Sequence, residues 1–255
     1  MNESEFKIFF FLIAGIVVGI YLFFLGFRIW SKKKLIENIP TSSVRGMAVG
    51  LVEVQGKAVV FTQPLQSHFT KAECVFFQYK VEELRRSGKS SRWVTIASYT
   101  SPHFFHLEDE TGKVLINPIY AELFLRVDRQ FRSGWGGAGQ KELEAGLAEL
   151  GIDTANFLGM GKSLRCMEIY IAPGDHTYVI GTACPDGIIE TKSTQGCENL
   201  CIRKDGKNFF CISDRSEKEL LGSLIWKMML CLYGGPILTL GCLYGIVQYF
   251  WQRLF

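Results

Sequence analysis

Two uncharged apolar runs, one towards each end, constrain this chain more than any other feature of its sequence. Ile8 to Phe27 (IFFFLIAGIVVGIYLFFLGF) and Met228 to Val247 (MMLCLYGGPILTLGCLYGIV) each hold twenty residues without a charge. At the helical rise of about 1.5 Å per residue, each covers roughly 30 Å, the thickness of a bilayer's hydrocarbon core. The first run follows Glu3 and Glu5, lacks the basic start and small-residue cleavage site of a secretory leader, and ends at Phe27-Arg28-Ile29-Trp30. It reads as a retained transmembrane helix over 8–30. The second reads as a transmembrane helix over 228–247 with a short tail, 248–255. Gly234, Gly235 and Pro236 near its middle predict either a kink or a close helix–helix approach.

The basic flanks of the runs predict an orientation. Arg28, Lys32, Lys33 and Lys34 follow the first run while only Lys7 precedes it; Arg215, Lys218 and Lys227 precede the second while only Arg253 follows it. By the positive-inside rule, residues 35–226 face the cytoplasm and both termini lie outside. A net charge of +3 with 21% charged residues is not the balance of a nucleic-acid binder. The residues between the runs, about 190, suffice for one domain with one substantial core. Cys74, Cys166, Cys184, Cys197, Cys201 and Cys211 lie in this region. They support a rival reading on the oxidising side, but on the expected cytoplasmic face they are reduced thiols.

After a linker, Leu35 to Ser43, in which Pro40 discourages further helix, the pattern turns to β-structure. Met47–Val54 and Ala58–Phe61 flank Gln55-Gly56-Lys57 and predict a tight hairpin around the glycine. In Val75–Val81 the two-residue period puts Val75, Phe77, Tyr79 and Val81 on one face of a half-buried strand, and Phe76, Gln78 and Lys80 on the other. Polar Arg85–Arg92 then leads to a partner strand, Trp93–Ser98. Short strands are predicted at Phe104–Leu107, Val114–Ile116 and Leu123–Val127. A glycine-rich stretch, Ser133 to Gly139, reads as flexible, and Lys141–Leu150 spaces Leu143, Leu147 and Leu150 as a helix does. Leu164–Ile171 and Thr177–Thr182 are strands joined by Ala172-Pro173-Gly174-Asp175, a type II turn composition. Lys204-Asp205-Gly206-Lys207, between Ile202 and Phe209, signals another hairpin. Ser216-Glu217-Lys218-Glu219 has capping-box spacing and starts a helix leading through Trp226. The fold class is α+β: a mostly antiparallel β domain, barrel- or sandwich-like, with one or two helices and two flanking transmembrane helices.

None of the chemical motifs outweighs its structural reading. Gly161-Lys162-Ser163 lacks the P-loop's upstream glycine, since position 156 is Asn156, and a strand rather than a helix follows it. Cys197 and Cys201, with Cys211 further on, are weak zinc candidates; trusted structural sites have two close pairs, and buried free cysteine is commonplace. A redox pair at Cys197 and Cys201 lacks the two-residue spacing of thioredoxin-like motifs. His103 and His106 on a strand point to opposite faces, which disfavours a shared metal. His68 and His176 sit beside predicted turns. Asp175 fits a turn and Asp214 the start of the last helix.

From Ile39 through Asp214 the chain resembles the GIDE domain, also called the beside-a-membrane (BAM) domain. That domain lies between the two spans of mitochondrial membrane-bound RING E3 ubiquitin ligases and occurs in prokaryotic relatives. The resemblance rests on the order and spacing of several pieces: IPTS (39–42), GLVEVQGKA (50–58), Pro64-Leu65, CVFFQYKVE (74–82), FHLED (105–109), GKV (112–114), EIYIAPGDHTYVIG (168–181) and FFCISD (209–214). It marks Gly50, Glu53, Gly56, Tyr79, Glu168, Pro173, Gly174, Asp175, Gly181 and Asp214 as motif positions.

The family's ligase activity resides in a RING finger after the second span, which needs cysteine and histidine ligands for two zinc ions. Only Gln248 to Phe255 follow Val247 here, so the expectation is a chain without its own RING or ligase activity. In the mitochondrial relatives, moreover, the domain faces the intermembrane space, whereas these flanks place it in the cytoplasm. The reading is a membrane-anchored binding or scaffold protein, with Arg28, Lys32, Lys33, Lys34 and Lys227 orienting it. Its expected partners are membrane lipids and other membrane proteins, not nucleic acid, and a homo-oligomer is left open. No catalytic residue and no cofactor are expected. Two alternatives stand beside this: a membrane subunit of a ubiquitin-ligase-like system that works with a separate catalytic chain, and, more weakly, a zinc or thiol-redox protein.

Overall fold

The structure, a computed structural model, describes residues 3–88, 90–133, 140–153, 162–185, 200–215 and 217–254. Two units are distinct: residues 1–39 with 216–255, and residues 40–215.

The first unit is a pair of long helices, α1 (Glu3–Asn38) and α3 (Glu217–Leu254). α1 runs on through Leu35–Asn38, the first part of the expected linker, and stops just before Pro40, which forbids its continuation. The helices run antiparallel, and small residues mark their contact. A Cβ on Gly15 would meet Cys242, one on Gly19 would meet Thr239 and the Gly235 carbonyl, one on Gly26 would meet Leu232, and one on Gly235 would lie 2.6 Å from the Gly19 carbonyl oxygen. Of the two readings of the Gly-Gly-Pro segment, close approach is the one realised; α3 runs through Pro236 as one helix. The Thr239 hydroxyl donates to the Gly235 carbonyl at 3.0 Å, one turn back. The outward faces are apolar, with Phe11 71% and Ile237 69% exposed. Both helices are long and apolar enough to cross a membrane.

In the second unit, five strands close into a barrel: β1 (Gly50–Val60), β6 (Phe105–Glu108), β7 (Lys113–Ile116), β11 (His176–Pro185) and β12 (Leu200–Arg203). Their pairing order is β1-β6-β7-β12-β11, and β11 returns to β1. All these pairs are antiparallel except β7 with β12. Numbered within the barrel, the order is first, second, third, fifth, fourth, first, with the third and fifth strands parallel. This is the connectivity of an OB-type Greek-key barrel, and it settles barrel over sandwich. Val52, Val54, Ala58, Leu107, Ile116, Val179 and Ile202 point inward.

β1 corrects the hairpin expected at Gly56. It runs unbroken, pairing with β11 over Gly50–Lys57 and with β6 over Lys57–Val60. Gly56 sits where one partner gives way to the next, and a Cβ there would lie 2.3 Å from the Glu108 carbonyl oxygen. Its absent side chain permits a close backbone approach rather than a turn.

Two insertions build a second layer. Between β1 and β6 lie β2 (Leu65–Gln66), β3 (Glu73–Cys74), β4 (Phe76–Ser87) and β5 (Ser90–Thr100); between β7 and β11 lie β8 (Glu122–Phe124), β9 (Arg129–Arg132), α2 (Gln140–Glu149) and β10 (Leu164–Ile171). β5-β4-β10-β9 form a four-stranded antiparallel sheet. α2, where the leucine spacing predicts it, buries Leu143 and Leu147 with Tyr79, Val81, Phe131, Leu164 and Cys166. The alternation expected over Val75–Val81 holds from Phe77 onward, whereas Val75 and Phe76 both join the barrel core.

Pro173 and Gly174, the latter at φ +92°, make the expected turn, closed by the Asp175 N–H on the Ala172 carbonyl at 3.1 Å. The strands it joins do not pair, because the turn carries the chain from the sheet into the barrel. The Asp205-Gly206 turn also forms, yet its flanks are not a hairpin. β12 and β13 (Cys211–Ser213) lie end to end along β11, opposite 182–185 and 178–180 respectively. Residues 134–139 of the glycine-rich stretch, Gly161, Cys197 and Ser216 lie outside the described residues.

Candidate functional site

Each layer carries one buried carboxylate among the motif positions. Glu53, on the outer wall of β1, is 1% exposed and accepts hydrogen bonds from the Tyr178 hydroxyl at 2.6 Å and the Thr41 hydroxyl at 2.5 Å. Its carbonyl also accepts the Ser42 N–H at 2.8 Å. The segment after α1 is therefore fixed, not a loose linker. Val44 N–H donates to the Asp109 carboxylate at 2.8 Å, and Val44 and Met47 reach the barrel core. Burial works against the charge on Asp109. Hydrogen bonds from the Thr111 hydroxyl and from the N–H groups of Val44, Thr111 and Gly112 together outweigh it and hold the carboxyl below its usual range.

Glu168, fully buried in β10, holds the loop between β2 and β3. It accepts the Phe69 N–H at 2.7 Å, the Thr70 N–H at 3.0 Å and the Thr70 hydroxyl at 2.7 Å. The loop presses Phe69 onto α2 so closely that a Cβ on Gly146 would lie 2.3 Å from the ring. His68 stacks on Tyr79 at 4.9 Å between centroids, with Nε2 3.0 Å from the Gly146 carbonyl. The nearby thiols are muted. Burial, with the charges of Glu168 and Glu73, pushes Cys74 up to about 12, and burial with Glu168 raises Cys166 as well.

The other motif positions have placed roles. Gly50 opens β1; Gly181 faces Ile202 and Phe210, either of which a Cβ would overlap; the Asp175 carboxylate accepts the Ala172 N–H at 2.8 Å. Asp214 accepts the Arg126 N–H at 3.0 Å, clasping the chain between β8 and β9. Lys162 and Ser163 commit their carbonyls to Ser133 and Leu84, and the strand β10 rather than a helix follows them. His106 packs on Phe61 at 5.1 Å while His103 meets Ser101, so the two imidazoles have different partners. Burial, then Lys113, lowers the His106 imidazole. Cys201 and Cys211 are both buried, and among the described residues no group of three or more metal-ligating side chains converges.

The feature that motif reading missed is the outer face of the four-stranded sheet. Tyr79, Val81 and Cys166 point to α2, so the alternating set Lys80, Glu82, Leu84 and Arg86 on β4 points away, with Trp93 on β5, Arg165 and Met167 on β10 and Arg132 on β9. Arg165 lies 4.4 Å from the Trp93 ring centroid and pairs with Glu82, which Lys80 also reaches at 2.8 Å. The Arg165 and Lys80 hydrogen bonds lower the Glu82 carboxyl. Around this one acid, Arg86 and Arg132 are exposed. The signal was present in the sequence as Lys80-x-Glu82-x-Leu84-x-Arg86, but only the register of β9 and β10 adds Arg132 and Arg165 to the same face. Elsewhere in the β unit lie a groove of about 300 Å³ between Phe61, Leu65 and Phe104 and a cleft of about 550 Å³ between Lys57, Glu108, Asp109 and His176.

A family model described as E3 Ubiquitin ligase, GIDE, matches residues 77–245, from within β4 to within α3. The chain belongs to the GIDE family. No curated protein and no solved structure matches it.

Proposed function

We propose that this GIDE-family chain is an integral membrane protein whose two spans present the β unit as a docking module for membrane proteins or lipids bearing negative charge. The carrying observation is the open sheet face, where Lys80, Arg86, Arg132 and Arg165 surround a single acid beside Trp93, Leu84 and Met167. Basic, aromatic and apolar side chains mixed on one face suit a partner with anionic groups on an apolar body. The apolar outward faces of α1 and α3 match lipid rather than water. Only Ile39 and Pro40 separate α1 from the Thr41 bridge to Glu53, and so short a tether raises the module's effective concentration for partners in the same membrane. The flanks Arg28, Lys32, Lys33, Lys34 and Lys227 support a cytoplasmic β unit with both termini outside.

Purification of the full chain in mild detergent, with lipid and protein partners identified by mass spectrometry, tests this. The Arg86→Glu, Arg132→Glu double variant is expected to lose at least tenfold of the recovered partner; equal recovery would sink the docking role. For topology, an impermeant maleimide on intact cells is expected to leave Cys184 unlabelled until the membrane is permeabilised, whereas labelling beforehand reverses the orientation. The family model's description favours a second reading, a membrane subunit of a ubiquitin-ligase-like system with a separate catalytic chain. Co-purification of a RING or other transferase would support it.

A further inference from the structure

β11 and β12 place Thr182 opposite Arg203, Ala183 opposite Ile202 and Cys184 opposite Cys201. Directly opposed residues of antiparallel strands share a face, with Cα atoms about 4.5 or 5.5 Å apart according to the alternation of hydrogen bonds. Both spacings fall inside the roughly 4.4–6.8 Å range that a disulfide bridges. Ala183 and Ile202 fill the barrel core, so the two cysteines project together from its outer wall. Both are thiols here, Cys184 partly exposed and Cys201 buried at 4% exposure. The other described cysteines of the β unit are opposed by residues of other types: Cys74 by Leu65, Cys166 by Val81 and Phe131, and Cys211 by Ile180 and Glu122.

We propose that Cys184 and Cys201 are a redox-modification site that closes into a reversible cross-strand disulfide by exchange with a small-molecule disulfide of the glutathione class. The more exposed Cys184 loses its proton, and its thiolate attacks one sulfur of the reagent, forming a mixed disulfide and releasing one thiolate. Cys201, deprotonated in turn, attacks the Cys184 sulfur and expels the second. Two protein thiols are oxidised by two electrons, one reagent disulfide is reduced to two thiols, and the two protons end on those products. The product ties the fourth and fifth barrel strands across residues 185–200. The inference rests on strand register alone; membrane orientation sets only which form prevails, since the cytosol keeps thiols reduced.

The test uses the full chain in detergent at about pH 8, since exchange proceeds through thiolates, exposed to oxidised glutathione and then alkylated and mapped without reduction. The expected result is a Cys184–Cys201 linked peptide, with two alkylation sites lost and a mass about 2 Da lower, reversed by dithiothreitol. Cys184→Ala and Cys201→Ser each abolish the linked peptide, while Cys197→Ser and Cys211→Ser retain it. Mapping of the wild-type chain is decisive should Cys201→Ser misfold. Linkage of either cysteine to another partner, glutathione persisting on Cys184 without resolution, or no loss of thiols would each overturn the proposal.

Discussion

The barrel and the four-stranded sheet beside it each bury one motif glutamate on a strand, yet the two carboxylates fasten different kinds of donor. Glu53 receives two side-chain hydroxyls, from Tyr178 and Thr41. Glu168 receives two backbone N–H groups and one hydroxyl from a single loop. A hydroxyl that loses its acceptor can rotate towards another, whereas a backbone N–H held in a tight loop cannot. The comparison teaches that the sheet depends on its carboxylate to shape a loop, while the barrel uses its own to fasten a segment already held at Val44 and Met47.

The largest expected effect tests that contrast directly. Glu168→Ala should destabilise the β unit by about 4 kcal/mol, because Phe69 keeps a buried donor and Thr70 two partly buried ones without acceptors; a loss below about 1 kcal/mol in chemical denaturation breaks the comparison. Next, Gly56→Ala should cost about 3 kcal/mol, since a Cβ 2.3 Å from the Glu108 carbonyl oxygen meets backbone rather than a movable side chain. Glu53→Ala should cost about 2 kcal/mol, less than its counterpart in the sheet. Equal losses at the two glutamates would show that donor type does not matter.

Acid should act more gently, through Glu82. Its folded carboxyl titrates below the ordinary value of 4.5, so its pairing with Arg165 and Lys80 stabilises the fold fully above that value and is lost as pH falls through the lower folded one. A melting-temperature profile from neutral to about pH 3 should therefore fall less steeply at its acid end in Arg165→Ala than in wild type. Smallest of all, Arg86→Glu with Arg132→Glu should change stability by no more than about 0.5 kcal/mol, as exposed positions usually do. That separates the docking face from the structural carboxylates: one should affect partner binding without stability, the other stability first.

Much of the fold was legible because it depends on local pattern. The apolar runs, the leucine spacing of α2, the alternation along β4 with its partner Trp93–Ser98, and the Pro173-Gly174 turn each depend on residues within a few positions of one another. Gly56 and Asp205-Gly206 misled for one reason. Glycine signals a turn and close backbone approach alike, and a turn signal does not say whether its flanks pair with each other or with a third strand. The basic sheet face was half visible in β4 alone. Glu53, Glu168 and Asp214 stood out as motif positions, but their partners lie 12 to 125 residues away along the chain.

The sequence by itself determined that two helices of membrane-spanning length bracket a β-rich unit, since length and the absence of charge need no partner to be read. Only the tertiary structure decided that the strands close as a barrel, that the motif carboxylates fasten loops, and that Cys184 faces Cys201. Those facts are pairings between distant strands, and register between distant strands follows from the closure of the whole core rather than from any local run of residues.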